Sequence, residues 1–212
     1  FFSPLNSIAQ SLPGMILLYL IPTILYSMGI SGWVFQPILN PIALVAITAN
    51  ADALAAGLGA SQPVTNEAVY AWLSVSCRGA TLPLSFMLLF AASKQLKALG
   101  KASIVPSLLN INEPVVFGCV AWNPLLMIPM WITAIVLPVI TYLAQVTGMV
   151  AIPVEVFHMW YCPVFISSWL VNHSLSGLAL TAINLAVAAM IFFPFFKIYD
   201  RQQLKLEQEE NE

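Results

Sequence analysis

The chain has 212 residues, of which 60% are hydrophobic and 8% charged, with mean hydropathy +0.88 and formal net charge −2. A soluble domain of average composition carries about 25% charged residues, so a water-facing surface is excluded over most of the molecule, and no basic patch exists to neutralise nucleic-acid phosphates. Cys77, Cys119 and Cys162 are odd in number and scattered, which fits small apolar helix residues and neither a disulfide framework nor a Cys-x-x-Cys metal site.

The opening, FFSPLNSIAQSLPG, lacks a charged n-region followed by a short apolar core and cleavage site, so no signal peptide is expected. Residues 1–12 read as a linker or interfacial helix from the middle of a longer protein. Five apolar stretches then read as bilayer spans, for which roughly 20 residues suffice. They are Pro13–Gly29, which is short, Val34–Ala51, Ala68–Ala92, Pro124–Thr147 and Leu178–Phe196. Two more, Ile104–Gly118 and Ile152–Leu170, are too short or too broken by Pro153 and Pro163 to cross, and read as re-entrant hairpins. The expected fold is an all-α integral membrane domain of about five transmembrane helices plus two re-entrant hairpins, covering residues 13–197.

Charges mark the expected water contacts, at Asp52, Glu67 and Glu155 and in two basic segments. The loop SKQLKALGK carries Lys94, Lys97 and Lys101, and the tail 198–212 follows Lys197 and carries Arg201 and Lys205. The positive-inside rule places both in the cytoplasm. The fourth and fifth spans separate them by two crossings, provided that both hairpins return to their starting side. The tail, ending EQEENE, reads as a frayed amphipathic helix or as disordered. No internal repeat, low-complexity tract or second domain is evident.

Two charged residues break the pattern. Glu113 lies in LLNINEPVVFGCVAWNPLLMIPM, between apolar runs and among Asn110, Asn112, Pro114, Gly118, Asn123 and Pro124. An ionisable group at membrane depth is costly and marks a functional site by default, and broken helices are tolerated there only inside protein or along a wet cavity. Glu113 therefore reads as an acceptor for substrate hydroxyls or protons; the plainer reading is a carboxylate capping a helix end. Arg78, in SVSCRGATLPL, reads equally as a snorkelling or acid-paired cation and as a donor lining the cavity, with Glu113 its natural candidate partner. His158 and His173 read as structural, since neither lies at metal-ligand spacing. No phosphate-binding glycine loop is present, because GLGASQP is not GxxxxGK[ST]. Trp33, Trp72, Trp122, Trp160 and Trp169 read as an interfacial belt, with stacking on sugar rings as the alternative, favoured for Trp160 beside Pro163.

LNINEPVVFG…NPLLMIPM resembles the signature FNINEPIIFG…NPLLFIPF of the membrane (IIC) subunit of phosphotransferase-system sugar transporters, lactose/cellobiose/chitobiose branch. RGATLPL is similar to the family's GGSGATLGL at Gly79, Ala80, Thr81 and Leu82. WYCP at Trp160–Pro163 is similar to WTTP, FFPFFKIYD to YYPFFKxYD, and SLPG to the segment entering the family's C-terminal half. The resemblance covers nearly all of the chain and only the C-terminal half of a usual subunit. It implies half of a ten-helix fold, in a homodimer built mainly through the other half, in a bacterial inner or plasma membrane. It also implies a β-linked or N-acetylated disaccharide as substrate, carried by alternating access. A phosphocysteine on a separate IIB partner, itself supplied by IIA, would phosphorylate the sugar 6-hydroxyl. No cofactor or resident metal is implied.

Residue by residue, Glu113 matches the family's sugar-binding Glu, which also serves as a candidate general base. Asn112 matches the adjacent polar contact, Gly79, Ala80 and Thr81 a cavity-lining turn, and Trp160 and Pro163 the second hairpin. Three departures stand out. Ser31, in GISG, replaces the His of the family's GIHG; Arg78 stands where a small residue is usual; Pro83 replaces a Gly. Ser31 keeps a donor and an acceptor but carries no proton at neutral pH. These departures leave open a sugar-binding membrane sensor or a degenerate, non-phosphorylating transporter, and a secondary transporter with Glu113 as its proton site.

Overall fold

The computed structural model describes residues 2–75 and 77–209. Phe1 and the last part of the expected tail, 210–212, lie outside the described residues. Every regular element among those described is helical: α1 Phe2–Ala9, α2 Leu12–Ser27, α3 Gln36–Ala55, α4 Asn66–Ala68, α5 Leu82–Leu89, α6 Lys94–Leu108, α7 Glu113–Val115, α8 Pro124–Val146, α9 Val164–Asn172 and α10 Leu175–Glu209. A 3-10 turn, Gly32–Phe35, leads into α3, and α4 and α7 each run on into a π turn, Val69–Leu73 and Val116–Val120.

Local chemistry sets the helix starts. Ser11, Ser93 and Asn123 accept hydrogen bonds from the backbone N–H groups of Gly14, Leu96 and Leu125 at the beginnings of α2, α6 and α8, which fills donors that no intrahelical partner satisfies. The unit Gly32–Ala55, α8 and α10 are long and apolar enough to cross a membrane, whereas α2, at 16 residues, is a shorter apolar helix.

The expected third span, Ala68–Ala92, is not one helix. It breaks between Leu73 and Leu82, where Cys77, Gly79 and Ala80 take φ values of 59°, 87° and 54°. Left-handed backbone cannot continue a right-handed helix. At Gly79 a Cβ would collide with the Met130 side chain of α8, so the turn is both left-handed and tightly covered. The SKQLKALGK loop is likewise corrected: it forms the first turns of α6, nucleated by the Ser93 cap. The segment Ile104–Gly118 is the end of α6, a turn through Asn110 and the α7–π unit, and Ile152–Leu170 is an irregular limb up to Pro163 followed by α9.

α8 packs against α2 and α10, and α5 against α6. Leu126, Met130 and Leu137 of α8 and Phe192 of α10 are fully buried. The irregular limb is held by side chains. Asn50 of α3 donates to the Pro153 and Gln62 carbonyls (3.0 and 2.8 Å) and accepts from the Ser61 and Gln62 N–H groups. Helix α10, about 52 Å long at 1.5 Å per residue, exceeds a ~30 Å hydrocarbon core, and its charged end begins at Lys197. That end is helical to Glu209 and bonded to the start of α6. Asp200 accepts from the Ala92 and Ser93 N–H groups (both 3.0 Å), and Glu207 from Ser93 Oγ (2.6 Å) and the Lys94 and Gln95 N–H groups (both 2.9 Å).

Candidate functional site

The break in the 66–82 segment and the turn after α6 meet beside α2. Their junction is a ladder of amides. Asn112, fully buried, accepts from the Tyr26 hydroxyl (2.9 Å) and donates to the Arg78 carbonyl (2.9 Å) and Thr81 Oγ1 (2.8 Å). Asn110, at φ 58°, donates to the Trp160 and Cys162 carbonyls (3.2 and 2.7 Å) and accepts from the Cys77 N–H. The Tyr19 hydroxyl donates to the Leu73 carbonyl and accepts from the Gly79 N–H. These bonds satisfy the polar groups that broken helices expose.

A cavity of about 990 Å³, counted to its open mouth, lies against this junction. Tyr19 and Tyr26 of α2, Trp33 and Gln36 at the start of α3, Asn66 of α4 and Trp160 contribute to its walls. The Trp33 and Trp160 rings meet edge to face at 5.1 Å and 77°. Only two charged side chains line it, Arg78 and Glu113. Glu113, the first residue of α7, is half-buried, and its carboxylate has no hydrogen-bond partner among the described residues. Arg78 is buried, with its guanidinium carbon 5.5 Å from the centre of the Tyr19 ring. The two charges form no ion pair within 4.0 Å, which corrects the expected pairing.

The structure thus brings Glu113, Arg78 and Trp160 to one cavity. Asn112, Gly79, Ala80 and Thr81 lie behind it. Asn112 spends its amide on the protein, and Gly79 is covered by Met130 and by the Thr133 hydroxyl on its carbonyl. These four are not lining residues, because holding the broken helices together occupies them. Ser31 is exposed, and its hydroxyl caps the 3-10 turn by accepting from the Trp33 N–H; its neighbours Gly32 and Trp33 line the cavity instead. Sequence reasoning passed over Tyr19, Tyr26 and Gln36, which lie in ordinary-looking helical runs with no local signal. Trp72 is not a belt residue: it is fully buried and donates to Ser168 Oγ. His173 closes α9 in a left-handed conformation with its ring against Trp169, and His158 is exposed.

The sequence profile of the family described as "Phosphotransferase system, EIIC" matches residues 1–134. The chain belongs to this family. Across 209 residues it is 36% identical to the lichenan permease IIC component of Bacillus subtilis, covering 97% of this chain and 46% of that protein. It is equally identical, over 211 residues, to the cellobiose-specific EIIC component of Geobacillus stearothermophilus, covering 97% and 47%. The crystal structure of ChbC, the IIC component of the N,N'-diacetylchitobiose-specific phosphotransferase system, superposes with a TM-score of 0.93 at 34% identity, covering 98% of this chain and 49% of that one. This EIIC chain therefore spans about half the length of the curated relatives it matches.

Proposed function

We propose that the chain is the sugar-binding part of a phosphotransferase-system permease, taking up a β-linked or N-acetylated disaccharide with phosphorylation by a IIB partner. The carrying observation is the Glu113 carboxylate, without a hydrogen-bond partner among the described residues, on the wall of an open cavity that the crossed Trp33 and Trp160 rings also line. A carboxylate accepts from sugar hydroxyls, and flat rings suit the C–H faces of a pyranose. Trp160 supplies such a face, and Asn112 acts as a positioning residue that fixes the turn from which Glu113 projects. On this reading Glu113 also takes the proton of the 6-hydroxyl during phosphoryl transfer. The helices cross a bacterial cytoplasmic membrane in five spans with two re-entrant hairpins, the start of α6 and the end of α10 facing the cytoplasm where IIB docks. The complete subunit is a homodimer.

The test is titration of cellobiose, diacetylchitobiose and lactose into the purified full-length subunit, beside Glu113→Gln. Saturable binding lost in the variant supports the reading; affinity equal in both proteins sinks it. Ser31 favours a second reading, because an exposed capping hydroxyl stands where the resemblance to the family implies a His. A sugar-binding sensor would bind the same ligands, and IIB-dependent phosphorylation of the bound sugar separates the two.

A further inference from the structure

Arg78 is the residue that the sugar reading leaves unexplained. It is 9% exposed and on the cavity wall, and its guanidinium makes no hydrogen bond or ion pair with any described residue. A desolvated cation is costly unless it is paired and hydrogen-bonded. The face of Tyr19, 5.5 Å away, recovers part of that cost through cation–π attraction but accepts none of the five N–H groups. The surroundings make room for the group: a Cβ on Gly32 would meet Arg78 Nε at 3.3 Å.

A cavity for a neutral sugar does not need this cation. Gln36, Thr65, Asn66 and Ser74 already offer neutral donors and acceptors on the same walls. Nor does Arg78 neutralise Glu113 directly, since the two form no ion pair within 4.0 Å and neither is hydrogen-bonded by a described residue. Two opposite, unpaired charges lining one cavity complement a ligand that offers both hydroxyl donors and a strong acceptor. The planar fork of a guanidinium fits the two oxygens of a carboxylate by parallel N–H···O bonds.

We propose that Arg78 is a specificity residue selecting an acidic disaccharide, its guanidinium holding a ring carboxylate of the uronic-acid class while Glu113 accepts from the hydroxyls. This rests on the sugar-cavity reading above. Binding is non-covalent, and the uronate pairs with Arg78, so Glu113 remains free for hydroxyl protons.

The experiment titrates the full-length subunit with two sugars that differ only at C6 of one ring, β-1,4-linked glucuronosyl-glucose and cellobiose. The acid should bind roughly tenfold to a hundredfold more tightly, the range expected for hydrogen bonds to a charged group. Arg78→Gln should bring the affinity for the acid down to that for cellobiose, and Arg78→Lys should keep part of the preference. The wild-type comparison needs no variant, so misfolding cannot mask the answer; added salt should narrow the preference. Cellobiose bound as tightly as the acid by the wild type overturns the proposal and leaves the sugar cavity standing. Arg78→Gln weakening both sugars by one factor overturns it too. Binding of neither sugar by a folded subunit that does bind diacetylchitobiose or lactose overturns this proposal alone; binding of none of the four overturns both readings.

Discussion

Asn66–Glu67 and Asn112–Glu113 open two copies of one local device, a short α turn that runs on into a π turn. Their polar groups point in opposite ways. In the first, Asn66 lines the cavity, while Glu67, expected at a water contact, is instead 3% exposed because it accepts the Phe157 N–H at 3.2 Å inside the protein. In the second, Asn112 is fully buried and Glu113 faces the cavity. The cause is a one-residue shift of frame. Thr65 caps the first helix by accepting the Ala68 N–H, which makes Asn66 the first helical residue; Asn112 itself occupies the cap position of the second, which makes Glu113 the first. One residue turns a side chain by about 100° around a helix. The same dipeptide therefore yields a structural carboxylate in one place and an available one in the other, according to what precedes it.

The comparison can be broken at either glutamate. Glu113→Gln is expected to weaken sugar binding by roughly a hundredfold, as for losing hydrogen bonds to a charged acceptor, with little change in the thermal unfolding midpoint in detergent. Glu67→Ala should do the reverse, lowering stability by about 1–3 kcal/mol by stranding the buried Phe157 N–H while the bound sugar is still held. Calorimetry and thermal unfolding on the same two preparations decide it; equal effects of both substitutions on binding would erase the distinction drawn between them.

Asn112 sharpens the contrast from the other side. Asn112→Ala leaves the Tyr26 hydroxyl and the Arg78 carbonyl without their buried partner, at roughly 1–3 kcal/mol each, and removes the bond to Thr81 Oγ1. The expected result is a loss of at least about 2 kcal/mol, read as poor yield or a large fall in unfolding temperature. A stable variant with weak sugar binding would instead make Asn112 a direct sugar contact.

Membrane class and helical content were readable from composition, and the position of Glu113 from the rule that charge at membrane depth is costly. The NEP motif located the turn correctly. The form of the break in the third span was not legible, because hydropathy integrates over a window, whereas the break depends on three left-handed residues and on Met130 closing over Gly79. The lysine-rich stretch failed for a related reason: its cap, Ser93, is reinforced by Asp200 and Glu207 from more than 100 positions away, and no local pattern carries such a bond. The site was half legible. Glu113, Arg78 and Trp160 were named and do meet, but which face of the turn Asn112 takes is a matter of frame, and frame follows from tertiary partners.

Glu207 offers the smallest and most local test, because it is a third glutamate at a helix start, here satisfied by groups of a different element. The Ser93 hydroxyl and the Gln95 and Lys94 N–H groups hold its carboxylate below the ordinary value of 4.5. A group whose folded pKa is depressed contributes stability that is complete above the unfolded pKa and is lost as pH falls through the folded one. The contact between α10 and α6 should therefore hold at neutral pH and loosen only below about pH 4.5. Hydrogen exchange at the Lys94 and Gln95 amides, normalised to intrinsic rates, reads it directly: protection should fall in that window and be weak at all pH values in Glu207→Ala. Sugar affinity at neutral pH should change little in that variant, since Glu207 lies at the far end of α6 from Glu113. A large loss of affinity would mean that the clamp sets the position of the turn after α6, and would move Glu207 from the structural to the functional side of the comparison.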